Sequence, residues 1–314
     1  MSRRRGLPPA RRAAFLLTLG LIFTTAAGLP FWVPAAPDAR VELRSLRLTP
    51  ARGLPRPKPA GTPAPSLARL VDEFVRELPP DFGSIGIAVK HPGTGETAGY
   101  DADRVFEAAS LYKLGVMLAV FDAAAAGDLN LDDPISIPDW AVSASDWSVY
   151  YPGDVVTGWD ALEAMITLSD NPSALVFMQM LGVDRINRVL KSYGLDSTHV
   201  DWWAPTTTPA DVLKIFDLID AGRAVSPQAS EQMRQMLLRQ RDNRRIPAGL
   251  PPDTPVAHKT GSLPGIAHDA GIIYLPGGPV ILVAMTADLS DYAAGEEAIA
   301  RLARLVADYF AGRT

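Results

Sequence analysis

The sequence contains no cysteine. Disulfide bonds, thiolate-bound zinc, iron–sulfur clusters and a cysteine nucleophile are therefore all excluded. The absence does not by itself identify the cellular compartment, since exported proteins can fold without disulfides. The four histidines lack the His-Glu-x-x-His spacing of helical zinc sites. We therefore expect neither a metal nor another cofactor.

Two further catalytic patterns are missing. There is no Gly-x-Ser-x-Gly segment, so the nucleophile turn of the α/β-hydrolases is absent, and there is no glycine-rich phosphate loop. An excess of positive charge is also missing from most of the chain, because residues 67–314 carry 19 Lys and Arg against 33 Asp and Glu. An acidic body does not neutralise phosphates, so we expect no nucleic-acid partner.

The N-terminal end has the opposite charge. Residues 1–66 carry 11 Lys and Arg against 2 Asp and Glu, and five arginines precede an apolar run from Ala13 to Leu29. This order is typical of a signal peptide or a short membrane anchor. We predict that residues 1–33 are such a segment, and that the protein is exported and either secreted or membrane-anchored outside the cytoplasm. Residues 34–66 are rich in proline and are predicted to be an extended linker.

Residues 67–314 are predicted to form the catalytic domain. Strands open and close this segment and helices fill its middle, so the early and late strands are expected to share one sheet. The sheet with its helices would form one lobe (residues 67–109 and 252–314), and an all-helical lobe (residues 110–251) would face it across a ligand cleft. The predicted strands are 84–90, 96–100, 256–260, 270–275 and 280–287, and the predicted helices are 67–78, 110–126, 159–168, 172–181, 184–193, 209–221, 227–240 and 296–310. The predicted helix-capping residues are Ser66, Thr157, Asp184, Thr208 and Ser226.

The first of three candidate motifs is Ser110-Leu111-Tyr112-Lys113, at the start of a predicted helix. Positions i and i+3 share a helix face, so Lys113 would lie beside Ser110. A hydroxyl nucleophile needs a base, and a desolvated lysine can have its pKa lowered enough to serve. A helix cap beside a solvated lysine is the alternative interpretation. This is, however, the only Ser-x-x-Lys segment in a chain with six lysines.

The second motif is Ser169-Asp170-Asn171, which lies between two predicted helices and just before Pro172. All four residue types favour turns, so an ordinary interhelix turn is one interpretation. In the other interpretation the Ser169 hydroxyl relays a proton, and the Asn171 amide positions the substrate or Lys113.

The third motif is Lys259-Thr260-Gly261-Ser262, at the predicted end of an apolar strand. Lys259 and Thr260 are suited to bind a substrate carboxylate, and Gly261 would let a ligand approach the backbone. The N–H groups of Ser262 and Ser110 could together form an oxyanion hole. The alternative is a solvated strand end with a glycine bulge.

In this order, the three motifs resemble those of the class A β-lactamases and the related penicillin-binding serine enzymes. Residues 127–134 and 206–210 also resemble segments of that family, so the resemblance covers about residues 67–312. It implies an α/β (α+β), β-lactamase-like fold, in which an antiparallel sheet is flanked by the N- and C-terminal helices and the active site lies between the lobes.

The resemblance also implies roles for individual residues. Ser110 would form an acyl-enzyme with a β-lactam or a related amide, Lys113 would activate Ser110, and Ser169 would pass a proton to the leaving nitrogen. The expected partner is a small molecule, either a β-lactam or a peptidoglycan peptide. The implied substrate-binding residues are Asn171, Lys259, Thr260, Gly261 and Ser262.

One departure from the family concerns deacylation. Class A enzymes carry a loop glutamate that activates the water for this step, yet no glutamate occurs here between Glu163 and Glu231. Asp196 or Asp201 could substitute, although surface or capping carboxylates are the simpler interpretation. Slow deacylation would make the protein a D-alanyl peptide hydrolase or a penicillin-binding protein. A third hypothesis, an inactive cell-wall-binding module, is disfavoured by the intact motifs.

Overall fold

The computed structural model describes residues 66–312. The predicted segment 1–33 and the predicted linker 34–66, apart from Ser66, lie outside the described residues. Within residues 66–312, no helix is both long enough and apolar enough to cross a membrane. The first helix begins directly after Ser66, whose Oγ accepts a hydrogen bond from the backbone N–H of Arg69 and so caps it, as predicted.

A five-stranded antiparallel sheet is the central element, and two small two-stranded sheets accompany it. Strands from the two ends of the domain pair with each other, as predicted, with Ile87 opposite Ala284. In chain order, the strands are β1 (Ser84–His91), β2 (Glu96–Tyr100), β3 (Phe106–Glu107), β4 (Pro134–Ser136), β5 (Val155–Thr157), β6 (Thr206–Thr207), β7 (Val256–Leu263), β8 (Ile266–Leu275) and β9 (Gly278–Ala287).

Helices cover both faces of this sheet, whose strand order is β2-β1-β9-β8-β7. Three helices of the middle of the chain begin at predicted capping residues, namely Thr157, Thr208 and Ser226. The α-helices are α1 (Leu67–Arg76), α2 (Tyr112–Ala125), α3 (Asp139–Ser143), α4 (Gly158–Thr167), α5 (Asn171–Leu181), α6 (Val183–Ser192), α7 (Pro209–Asp220), α8 (Pro227–Leu238) and α9 (Tyr292–Ala311).

The sheet separates two clusters of buried apolar side chains. Along β9, Ile281 and Val283 belong to the cluster with the helices of the middle of the chain, whereas Leu282 and Ala284 belong to the cluster with α1 and α9. This alternation follows from the two-residue period of a strand. It also explains why β9 reads as a nearly continuous apolar run, since both of its faces are covered.

Several element boundaries differ from the sequence prediction. Strand β7 continues to Leu263 because it pairs with β8 along its whole length, so the Lys259–Ser262 motif lies inside the strand and not at its end. Asp184 was predicted to cap α6, but Gly182 holds the cap position with a φ of 76° and Asp184 lies in the first turn. The last helix begins at Tyr292, four residues before the predicted start, because Asp291 caps it.

Candidate active site

Ser110 lies in a tight turn between β3 and α2. The turn is a 3-10 helix of residues Ala109–Leu111, so Ser110 precedes the α-helix that was predicted to start at it. Ala109 has a φ of 43°, a left-handed conformation that is unfavourable for a residue with a side chain. The backbone N–H of Ala108 donates to the carbonyl of Pro205 at 2.7 Å. The strained residue, next to the proposed nucleophile, therefore follows directly after a residue that is tied to the loop of residues 201–205.

Lys113 lies directly behind Ser110, one turn along the helix. Its Nζ is 3.2 Å from Ser110 Oγ and 3.2 Å from Ser169 Oγ. It also donates to the backbone carbonyl of Ser169 at 2.7 Å and to Asn171 Oδ1 at 2.5 Å. The side chain of Lys113 is fully buried. The amine is thus positioned by oxygen atoms of the second motif and reaches the Ser110 hydroxyl.

The third motif meets the other two at Ser169. Lys259 Nζ donates to Ser169 Oγ at 3.0 Å and to the carbonyl of Thr260 at 2.8 Å. Ser169 has a φ of 59°, so its backbone turns sharply where α4 gives way to α5. The Ser169 hydroxyl therefore lies between two lysine amines, and three distant segments converge beside Ser110.

Two buried amines this close repel each other when both are charged, so the doubly charged state is unfavourable. Burial, and then the charge of Lys259, hold the pKa of Lys113 well below its usual range; Asp170 and Asp146 oppose this effect. Burial also lowers the pKa of Lys259 to about 7, and nearby Arg245 contributes in the same direction. Lys113 is therefore suited to be the neutral amine of the pair, which is the form that can accept a proton.

Gly261 packs against the turn that carries Ser110. A Cβ at this position would lie 3.2 Å from the Cβ of Ala109 and 3.3 Å from the carbonyl oxygen of Ala108. The chain itself, and not only a ligand, therefore requires a small residue here, because β7 lies directly against the turn.

Two pockets meet at Ser110. The first, here called the loop-side pocket, extends towards the loop of residues 201–205. The second, the arginine-side pocket, extends towards Thr260 and residues 240–244. Ser110, Asp146, Asn171 and Ser262 line both pockets; Glu107, Asp201, Trp202, Trp203 and Pro205 also line the first, and Gln240, Arg241, Asp242, Arg244 and Thr260 also line the second.

Residues 69–310, which include every residue of this site, match the beta-lactamase enzyme family. The chain belongs to the beta-lactamase enzyme family. It is therefore a β-lactamase-like serine hydrolase, and the fold predicted from the three motifs is confirmed.

Individual relatives agree with this assignment. The chain is 29% identical to the carbapenem-hydrolyzing beta-lactamase KPC of Klebsiella oxytoca over 268 residues, which cover 78% of this chain and 91% of that protein. The solved β-lactamase of Sphaerobacter thermophilus is 29% identical with a TM-score of 0.72, and the match covers 77% of this chain and 97% of that one. The solved structure of PBP-A has a TM-score of 0.73 at 24% identity, covering 80% and 99% respectively, which shows a shared fold.

Asp170, at the centre of the second motif in this β-lactamase family member, is a positioning residue that the sequence analysis left without a role. Its buried carboxylate accepts hydrogen bonds from the N–H and Oγ of Ser173 at 2.8 and 2.6 Å, and from the N–H of Val149 at 2.8 Å. Asp170 thereby caps α5 and ties residues 146–150 to it. Asn171 then bridges Lys113 and Asp146, to which its Nδ2 donates at 2.7 Å.

Arg245 is a second residue that the sequence analysis missed. Its guanidinium is fully buried and donates to Ser262 Oγ at 2.6 Å and to the carbonyls of Gly261 and His268 at 3.1 and 2.6 Å. Tyr292 also donates to Ser262 Oγ, at 2.8 Å. Arg245 therefore holds the third motif in position through these hydrogen bonds and adds positive charge near Lys259. Only the cluster of arginines at 239–245 signalled it in the sequence.

Neither aspartate considered for deacylation is placed as a free base. Oδ1 of Asp201 accepts from the N–H groups of Trp203 and Ala204 at 2.6 and 2.7 Å, and these hydrogen bonds lower its pKa. Asp201 therefore shapes the loop that it belongs to. Asp196 is exposed and does not line either pocket at Ser110.

Proposed function

We propose that this enzyme is exported and opens β-lactam or related amide bonds through an acyl-enzyme on Ser110. The single observation that carries this proposal is the 3.2 Å separation between Ser110 Oγ and a fully buried lysine amine, Lys113 Nζ, whose pKa is lowered. A serine hydroxyl is a weak nucleophile until a base takes its proton, and a neutral amine at hydrogen-bonding distance can do so.

In the proposed acylation step, Lys113 accepts the Ser110 proton as Oγ attacks the substrate carbonyl carbon. The resulting oxyanion is stabilised by the backbone N–H groups of Ser110 and Ser262. The carbon–nitrogen bond then breaks. Ser169 gives its proton to the leaving nitrogen and regains one from Lys113, since its hydroxyl touches both lysine amines.

The substrate carboxylate is proposed to bind on the side of Lys259 and Thr260. Thr260 lines the arginine-side pocket together with Arg241 and Arg244. Arg244 is paired with Asp242, but among the described residues no ion pair involves Arg241, so its charge is available to attract an anion. Asn171 lines both pockets and is held in a fixed orientation by Lys113 and Asp146, which supports the proposed contact of its amide with the substrate side chain. Gly261 and Ser262 would complete the binding edge.

A second candidate function is a D-alanyl peptide hydrolase or penicillin-binding protein with slow deacylation. The observation that favours it is that Asp201, which lines the loop-side pocket, is occupied by its own loop, while residues 164–230 contain no glutamate. An inactive wall-binding module is a weaker candidate, because the buried and converging amines would have no role in it.

The rate of colour release from a chromogenic cephalosporin separates these candidates. We expect continuing turnover for a β-lactamase, and a single equivalent of colour for a penicillin-binding protein. In both cases Ser110→Ala should abolish the signal. A matched control is Ser145→Ala, because Ser145 lines the loop-side pocket with Ser110 but its hydroxyl donates to the carbonyl of Ala141 in the preceding helix, α3. Unchanged colour release in Ser110→Ala would contradict the proposed nucleophile.

Export is proposed from the N-terminal sequence alone. Expression of the full chain in a bacterium with separation of cytoplasm, membrane and exterior tests it. We expect the protein outside the cytoplasm, released if residues 1–33 are a cleaved signal and membrane-bound if they are an anchor. Retention of the folded protein in the cytoplasm would contradict the proposal.

A further inference from the structure

Hydrolysis of an ester on Ser110 needs a group that takes a proton from the attacking water. This question rests on the proposed function, because it concerns the acyl-enzyme that the function implies. The group must lie in a pocket that contains Ser110, and a carboxylate that no protein group already holds is the most available to bind the water. Four carboxylates line the two pockets: Glu107, Asp146, Asp201 and Asp242.

Lys113 is poorly placed for this second task. An amine nitrogen has three positions besides its bond to carbon. Lys113 Nζ already has four oxygen neighbours within 3.2 Å, contributed by Ser110, Ser169 and Asn171. The nitrogen is also fully buried. These neighbours leave no side of the amine open to a water molecule that would attack from the pocket.

Three of the four carboxylates are engaged by other groups. Asp146 accepts from Asn171 Nδ2, and Asp201 accepts from two backbone N–H groups of its own loop. Asp242 accepts a hydrogen bond from the Arg244 guanidinium on each of its two oxygens, at 2.8 and 3.0 Å. Each of these three carboxylates therefore has a protein partner with which an attacking water molecule would have to compete.

Glu107 differs from these three. It lines the loop-side pocket with Ser110 and is exposed to solvent. Within residues 66–312, no hydrogen bond or ion pair involves its carboxylate. Its neighbour Phe106 is buried, and successive side chains of a strand point to opposite sides, so Glu107 points away from the core.

The backbone of Glu107 is well fixed even though its carboxylate is free. Glu107 is paired with Thr206 in the β3–β6 sheet, and its carbonyl accepts from His268 Nε2 at 2.8 Å. The residue stands three positions before Ser110, at the end of β3 and just before the 3-10 turn. A carboxylate on a rigid strand next to the nucleophile, with access to water, has the placement that a general base requires.

We propose that Glu107 is the general base of deacylation. Its carboxylate takes a proton from a water molecule as the water oxygen attacks the carbonyl carbon of the Ser110 ester. The tetrahedral intermediate then collapses with cleavage of the bond between that carbon and Ser110 Oγ. The proton returns to Oγ, which restores the Ser110 hydroxyl and the Glu107 carboxylate and releases the carboxylic acid product.

The test compares the wild-type enzyme, Glu107→Gln and Glu297→Gln after mixing with penicillin-G. Intact-protein mass gives the rate at which the adduct forms and, once free penicillin is removed, the rate at which it decays. Glutamine keeps the shape of the side chain but cannot accept the proton. We expect Glu107→Gln to lengthen the adduct lifetime tenfold or more and to change the acylation rate less than about twofold. Glu297, an exposed residue of α9 that lines neither pocket, should behave as wild type when replaced.

A partial recovery of decay in Glu107→Asp would further support the assignment, since a carboxylate is then present at a slightly different distance. Equal adduct lifetimes in wild type and Glu107→Gln would overturn it and leave the proposed function intact. Slowing of acylation as large as that of deacylation would also overturn it, because the residue would then act by shaping the site. A wild-type enzyme that neither forms an adduct nor hydrolyses penicillin-G would overturn the proposed function and this inference together.

Discussion

The Ser169 hydroxyl has two lysine amines as neighbours, at 3.2 Å from Lys113 and 3.0 Å from Lys259. Both lysines are fully buried, so each loses the hydration that stabilises an ammonium group in water. Their different surroundings favour different charges, since the pKa of Lys113 is lowered by Lys259 in addition to burial. One amine can then remove a proton while the other attracts an anionic substrate.

The charge of Lys259 should limit activity at high pH. Because its pKa is lowered to about 7, the free enzyme loses this positive charge as the pH rises through that value. We expect kcat/KM for a carboxylate-bearing β-lactam to fall above about pH 7. In Lys259→Arg the guanidinium stays charged, so the alkaline fall should disappear even if overall activity drops. A pH profile of both enzymes is the measurement, and an identical alkaline limb in the two would contradict the assignment.

The buried amine of Lys113 should lower the free energy of unfolding of the enzyme. Its pKa is lower in the folded than in the unfolded protein. Between those two values the unfolded chain binds more protons, so unfolding becomes harder as the pH rises through that window. We expect Lys113→Met to abolish acylation and to raise the free energy of unfolding at pH 7 by about 1–2 kcal/mol. Thermal unfolding at several pH values measures this, and a destabilised variant would contradict the expectation.

At the scale of elements, the site depends on β7 lying against the 3-10 turn that carries Ser110. The close approach of Gly261 to Ala108 and Ala109 fixes how near the third motif comes to the nucleophile. Arg245 ties β7 to β8 by donating to the carbonyls of Gly261 and His268. The strained Ala109 is thus held between a strand and the loop of residues 201–205.

Gly261→Ala tests this contact. The added methyl group would lie 3.2–3.3 Å from atoms of Ala108, Ala109 and His268, so the turn must shift by a few tenths of an ångström. We expect the acylation rate to fall by about tenfold, because catalytic geometry is sensitive to displacements of this size. The control is Gly312→Ala, where the nearest atom outside the neighbouring residues is 3.5 Å away. An acylation rate equal to wild type in Gly261→Ala would show that the contact is not needed.

Local signals in the sequence predicted most of these elements. Ser66, Thr157 and Thr208 cap helices as expected, because a cap depends only on residues three positions away. The motif order predicted that Lys113, Ser169 and Lys259 belong to one site. The sequence did not reveal the hydrogen bonds from Arg245 to the third motif or the strain at Ala109, because both result from contacts between segments that are distant in the chain.

At the scale of the whole molecule, one buried cluster supports the site and the other contributes to stability alone. The cluster with the helices of the middle of the chain lies under Ser110 and α5, whereas the cluster with α1 and α9 lies on the opposite face of the sheet. Stability can therefore be reduced from the far face without a change in the site.

Replacing Phe74 and Phe177 separately tests this division. Both are buried, Phe74 in the cluster with α1 and α9, and Phe177 in the other cluster, on the helix that begins at Asn171. Either change to alanine should lower the free energy of unfolding by roughly 3–5 kcal/mol. Acylation by the folded protein should be unchanged in Phe74→Ala and slower in Phe177→Ala. Equal loss of acylation in the two variants would show that the two clusters do not differ in their effect on the site.

The most direct test of Ser110 as the nucleophile is to locate the covalent adduct that penicillin-G forms with the protein. After brief mixing, acid quench and proteolysis, mass spectrometry of the peptides identifies the modified residue. We expect one adduct per chain, on Ser110, and its loss in Ser110→Ala and in Lys113→Met. An adduct on any other residue, or one that forms at the wild-type rate without the Lys113 amine, would contradict this expectation.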